Sequence, residues 1–322
     1  MSDQFKFNES PSLPMFFFSH GGPTFSDRND PFGSNLGAWD MTHKVGRYIQ
    51  NKVKPDFIIV VSAHWRSGDA DTIEVNVTGP GESKYTQNNI TSNKIGEKEN
   101  ALIYDFYNWP QKFYDSQFHT FNDKSLAEDI ANTLTEGGIK SKITERGIDH
   151  GAFVPMKVAF GDTEVLESGK WDVDVPVIQV SLAGTYAFDI HYKLGQVLAK
   201  YRNLNGVILF SGMSVHNLNE FFKDKKKREY KPVLPYVEPF NKLLTEILQS
   251  EDKSSILDQF NNLPTESQTK DLYKSAHPTN EHLLPVVVAA GAAENDECFE
   301  LYTDASGSLG WNVYGWGGIS DL

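Results

Sequence analysis

Three stretches of this chain, residues 15–18, 57–61 and 207–210, are unbroken runs of large apolar side chains. A strand with one wet face alternates apolar and polar residues, whereas a strand covered on both faces has no polar positions to fill. The runs therefore predict strands buried between layers of helix, at 15–19, 56–63, 72–78, 175–182, 206–211 and 298–303. Helical patterns alternate with them. Met41, Val45, Tyr48, Ile49 and Val53 share one helical face, and Leu126, Ile130 and Leu134 recur at spacing four before a Gly137-Gly138 stop. "HYKLGQVLAKY" supplies a further helix before the strand at Gly206. Strand and helix in turn imply an α/β fold: a single domain over 1–322, with a central mixed or mostly parallel sheet flanked by helices.

Each of the three runs leads to a histidine. "MFFFSHGG" reaches His20, "FIIVVSAHW" reaches His64, and "VILFSGMSVH" reaches His216 after a Ser-Gly turn. In open α/β sheets, ligands bind beyond the carboxyl ends of the strands, where loops converge. Small neighbours such as Gly21, Gly22, Ala63 and Gly212 permit sharp turns and close approach there. "SAHPTNEHLLPVVVAAGAA" adds His277 and His282, too far apart on a regular helix to point the same way. In that stretch Thr279 is a candidate helix cap, and Pro285 either opens the helix or kinks it. "RGIDHGAFVPM" adds His150 at the start of a short helix. His43, His119 and His191 lack a strand-end setting and are read as ordinary satisfied side chains.

A formal net charge of −13 argues against a nucleic-acid partner, because phosphate binding needs a basic surface. The single cysteine, Cys298, rules out an internal disulfide or a thiolate metal cluster, so a bound metal would need His, Asp or Glu. No apolar stretch approaches the roughly 20 residues that span a bilayer. "MSDQFKFNES" has no leader-peptide pattern, so a cytoplasmic location is expected, with nuclear entry left open. Residues 79–100 and 221–235 are polar or basic and read as exposed loops. Phosphate-loop, nucleophile-elbow, dinucleotide and H-E-x-x-H motifs are absent. Trp311, Tyr314 and Trp316 read as a packed end strand.

In chain order, "FFFSHGGPTF", "VVSAHW", "YDFYNWP", "DHGAFVPM", "VIQVSL", "SGMSVHNL" and "SAHPTNEHLLPVVVAAGAA" resemble the 4,5-DOPA dioxygenase branch of the class III extradiol ring-cleavage dioxygenases. The resemblance implies one divalent non-haem metal, Fe(II) for turnover or Zn(II) as isolated. It implies His20, His64 and His277 as metal ligands, His216 as a fourth ligand or an acid/base group, and His150 and His282 beside the substrate. The implied partners are a small-molecule catechol such as DOPA and O₂, giving a ring-opened semialdehyde. Three neutral imidazoles suit this chemistry: they leave the ion's charge to attract a catecholate and leave positions open for catechol and O₂. Segments 79–100 and 221–235 look longer than the family pattern, which bears on substrate size and access. Two other readings use the same residues: a zinc hydrolase that activates water, and a metal-binding protein without turnover.

Overall fold

Alternate residues of the apolar runs serve opposite faces of one sheet. Met15, Phe17, Ile59, Val61, Ile208 and Phe210 enter one core, while Phe16, Phe18, Ile58, Val60, Val207 and Leu209 enter the other. That is why the runs are continuous. Burying each such side chain contributes about 1.5–3 kcal/mol. The computed structural model describes residues 4–30, 32–78, 98–161, 171–223, 232–319 and 322.

Eight strands form the sheet: Met15–Ser19 (β1), Phe57–Arg66 (β2), Thr72–Val77 (β3), Lys140–Glu145 (β4), Val177–Leu182 (β5), Gly206–Gly212 (β6), Cys298–Tyr302 (β7) and Val313–Trp316 (β8). Their order across the sheet is β7-β8-β1-β6-β2-β5-β3-β4. The central strands β1, β6, β2 and β5 are parallel, as are β3 and β4. Antiparallel pairs join β1 to β8, β8 to β7 and β5 to β3, so the sheet is mixed and mostly parallel.

The longer helices are Leu36–Tyr48 (α1), Lys124–Glu136 (α2), His150–Phe160 (α3), Phe188–Leu198 (α4), Val237–Leu248 (α5) and Leu284–Ala292 (α6). Helices α1 and α3 cover one face through Val45 and Phe153. The other face is covered by α2, α4, α5 and α6 through Leu126, Leu194, Leu244 and Val287. Asp123 caps α2 by accepting from Ser125 N–H and Leu126 N–H, and Leu126, Ile130 and Leu134 are fully buried, as the spacing predicts.

Several expectations are corrected. Strand β2 continues through His64 to Arg66, so His64 lies within the strand and not beyond it. Strand β4 was not expected. Helix α6 opens with Pro285 in its first turn, where a missing N–H costs nothing. Thr279 does not cap that helix; its hydroxyl donates to Glu281 Oε1 at 2.8 Å. Of the two expected loops, residues 79–97 and 224–231 lie outside the described residues, whereas Glu99 and Asn100 are buried. The end strand predicted around Tyr314 is present as β8, buried throughout. Among the described residues, no helix is long and apolar enough to cross a membrane.

Candidate metal centre

The carboxyl ends of β1, β6 and β2 bring the histidines together. His20 extends the β1–β6 ladder, its N–H donating to the Gly212 carbonyl at 2.9 Å. At Gly212 an added Cβ would sit 2.3 Å from the His282 carbonyl oxygen, which also accepts from Met213 N–H at 3.0 Å. The end of β6 thus grips the turn that carries His282. His150 is the first residue of α3, whose N-cap, Asp149, accepts from Ala152 N–H at 3.2 Å. Gly151 follows, so close to β2 that a Cβ would meet Ser62 Oγ at 2.5 Å and His64 Cδ2 at 2.6 Å. His216 sits on the short strand Val215–His216, opposite Leu309, with its ring stacked on His282 at a centroid distance of 3.5 Å.

Hydrogen bonding at the outer nitrogens fixes what the inner ones present. The Ser211 hydroxyl donates to the Gly151 carbonyl, so it accepts from His20 Nδ1, 2.9 Å away. His64 Nδ1 lies 3.1 Å from Asp105 Oδ2, and His282 Nδ1 lies 3.3 Å from Glu281 Oε1. Each Nδ1 therefore carries the proton and each Nε2 keeps a lone pair. His64 Nε2 stands between the other two, 3.1 Å from His20 Nε2 and 3.2 Å from His282 Nε2. Two nitrogens on one tetrahedral ion at about 2.0–2.1 Å lie about 3.3 Å apart. Neutral imidazoles so oriented turn lone pairs toward one another and suit a cation, and this donor set fits a divalent metal held by imidazole.

Two further histidines flank the triad. His150 Nδ1 lies 2.7 Å from Asp105 Oδ1, with the His150 ring 4.0 Å from that of His64, centroid to centroid. His20, His64 and His150 each offer a ligand atom within 4.8 Å of the others, and His216, Glu281 and His282 do likewise. Burial, then the rings of His64 and His282, hold the His20 pKa well below its usual value. Burial and neighbouring histidines depress His216 and His282 in the same way. Burial would also lower His64, but the hydrogen bond and charge of Asp105 outweigh it and its pKa is raised. Asp105 shows the complement: burial would raise it, yet His150 and His64 hold it well below the usual carboxylate range.

His277, expected as a ligand, has a buried Nδ1 without a hydrogen-bond partner among the described residues, and its other nitrogen is engaged elsewhere. Its Nε2 lies 2.9 Å from the Ser214 carbonyl and its ring packs on Phe240, outside the converging set. His282, expected beside the substrate, stands in the converging set instead. The other three histidines partner elsewhere: His43 with the Val158 carbonyl, His119 with Glu99, and His191 with the Ala187 carbonyl. Asp105 and Glu281 were not expected at the site, and Ser211 was read only as a small turn residue beside it. Asp105 lies within the quoted "YDFYNWP", but nothing in that stretch indicates a partner at His64 or His150. A cavity of about 320 Å³ opens over the cluster, with His64, His150, His216 and His282 among its walls. Phe106 and Trp109 supply its aromatic side.

Fold and site together define a class: an α/β protein with a histidine-rich pocket over the carboxyl ends of parallel strands. Residues 14–320 match the family described as the catalytic LigB subunit of aromatic ring-opening dioxygenase, and the chain belongs to that family. It is 29% identical over 292 residues to the 4,5-DOPA dioxygenase extradiol-like protein of Schizosaccharomyces pombe, covering 87% of this chain and 84% of that one. It is 29% identical to the 4,5-DOPA dioxygenase extradiol of Beta vulgaris, over 89% of each chain. Dioxygenase tasH of Hapsidospora irregularis is 26% identical over 95% of this chain and 86% of its own. A crystal structure of an uncharacterized Escherichia coli K12 protein shares the fold, with a TM-score of 0.63 at 20% identity over 95% of this chain and all of that one.

Proposed function

We propose that this protein is a metal-dependent extradiol dioxygenase that opens the ring of a small catechol, such as DOPA, to a semialdehyde. The observation that carries this reading is the approach of His20 Nε2 and His282 Nε2 to His64 Nε2, at 3.1 and 3.2 Å, in a chain of the ring-opening dioxygenase family. These three would hold one divalent ion, with His216 beside them as a fourth ligand or a proton-transfer group. Bound there, Fe(II) supplies the electron transfer to O₂ that Zn(II), with no accessible redox change, does not.

The chain's own residues supply the rest. Asp105 holds His150 by Nδ1, which leaves Nε2 as the nitrogen available to take a proton from a catechol hydroxyl and return it later. Phe106 and Trp109 present apolar walls that seat a ring and keep water from it. At about 320 Å³ the cavity is at the small end of ligand pockets, which run about 300–1,000 Å³, and so favours a single-ring substrate.

Anaerobic loading with Fe(II), followed by O₂ uptake with DOPA, caffeate, protocatechuate and catechol, tests the reading. One O₂ consumed per ring opened, in the iron form alone, is the expected result. If no catechol drives O₂ uptake and the zinc form cleaves an ester or amide, the hydrolase reading replaces it.

A further inference from the structure

The carboxylate of Asp105 faces two histidines at once. Oδ2 lies 3.1 Å from His64 Nδ1, and Oδ1 lies 2.7 Å from His150 Nδ1 and 3.0 Å from the His150 backbone N–H. It reaches this position from a loop clamped on both sides. The short strand Leu102–Ile103 pairs in parallel with Ile148–Asp149, which sets the loop alongside the start of α3. Beyond it, the Tyr114 hydroxyl donates to the Phe106 carbonyl at 3.0 Å, and the Tyr104 hydroxyl donates to the Ser116 carbonyl at 2.7 Å.

We propose that Asp105 is a positioning residue that fixes the tautomers of a metal ligand and a proton-transfer group together. An ionised carboxylate only accepts, so a neutral imidazole facing each oxygen must carry its proton on Nδ1. Both rings then turn lone pairs inward, His64 toward the metal position and His150 toward the cavity. A histidine whose outer N–H is held by a carboxylate is locked in orientation and is a more basic ligand. Here one carboxylate serves both functions, so neither ring can change tautomer without disturbing the other's anchor.

Asp105→Asn tests the idea, because a carboxamide keeps the shape but has only one accepting atom. Its oxygen can still serve His150 N–H and Nδ1, while its NH₂ faces His64 Nδ1 and must donate there. The proton of His64 is thereby driven to Nε2, where it blocks the lone pair. The inference rests on the proposed metal site, and the two are separable. If the wild-type protein binds no Fe(II), Zn(II) or Co(II), the metal reading itself fails.

Given wild-type binding, Asp105→Asn should weaken Co(II) affinity by about 10–100-fold. Long-range ¹H–¹⁵N spectra of metal-free protein labelled at histidine should then show His64 as the Nε2–H tautomer. The wild-type spectrum, which needs no variant to fold, should show Nδ1–H at both His64 and His150. Wild-type Co(II) affinity in a folded Asp105→Asn protein, or a wild-type spectrum with Nε2–H at His64, would overturn the assignment.

Discussion

His277 and His282, near neighbours in sequence, part company in the fold, and their substitutions should do so as well. His282→Ala removes one of three converging nitrogens and should abolish stoichiometric metal binding. His277→Leu removes only the donor to the Ser214 carbonyl, so it should cost about 1–3 kcal/mol in urea unfolding yet keep metal content near wild type. Elemental analysis of both dialysed proteins settles which one is a ligand. The sequence could not separate the pair, because the direction of each ring depends on where β6 holds the intervening turn. His20 and His64 stood out because each is reached by a buried apolar run, although His64 lies inside its strand. Asp105 did not, since the pairing of Leu102–Ile103 with Ile148–Asp149, far along the chain, places it. Acid stability should also register buried imidazoles. Burial lowers both His191 and His277 from 6.5 to about 4. Between those values the unfolded chain takes up protons that the folded chain refuses. Stability is therefore fully present above pH 6.5 and declines as the pH falls toward 4, by up to about 1.4 kcal/mol per pH unit for each ring. His191→Gln should flatten that decline by one proton's worth in urea midpoints taken from pH 7 to 4.5, and an unchanged slope would count against it.

At the scale of elements, the junction between β6 and the turn before α6 is the exacting contact nearest the site. Gly212→Ala places a Cβ against the His282 carbonyl and should weaken metal binding at least about tenfold by shifting that ring. Gly68→Ala meets nothing within 4 Å and should leave affinity unchanged. Equal affinities in the two variants, compared by competition with a chromophoric chelator, would show that the junction tolerates movement. Asp149 is the corresponding device at α3. Fully buried, it caps the helix, accepts from Ser62 Oγ at 2.7 Å and pairs with Arg146 at 3.2 Å. Asp149→Ala should cost about 3–5 kcal/mol in chemical denaturation, the scale of breaking a buried pair. The central strands were legible for the reason that makes them central: two covered faces demand apolar residues at every position. Strand β4, "KSKITE", pairs among the described residues only with β3, at the sheet's edge, and is largely exposed or half-buried, so no apolar run announces it.

Across the whole molecule, Arg202 ties distant parts of the chain. Only 1% exposed, it donates to the Leu13 carbonyl at 2.8 Å and the Ala292 carbonyl at 3.0 Å, and it pairs with Asp296. Leu13 leads into β1 and Ala292 ends α6, so this guanidinium fastens the first central strand to the last helix. Arg202→Met should lower stability by about 3 kcal/mol or more, because it leaves those acceptors unpaired. A urea midpoint unchanged from wild type would show the tie to be dispensable. The converging nitrogens have a consequence of another kind. His20 belongs near the beginning of the chain and His282 near its end, and no two of the three lie on the same local segment. A growing chain on the ribosome holds no more than a fragment of the donor set until the turn before its last helix has emerged. An ion held by these three could not nucleate folding, as zinc does in small finger domains. Such an ion would be taken up by a finished protein, and the metal installed would depend on what the surroundings offer at that late moment.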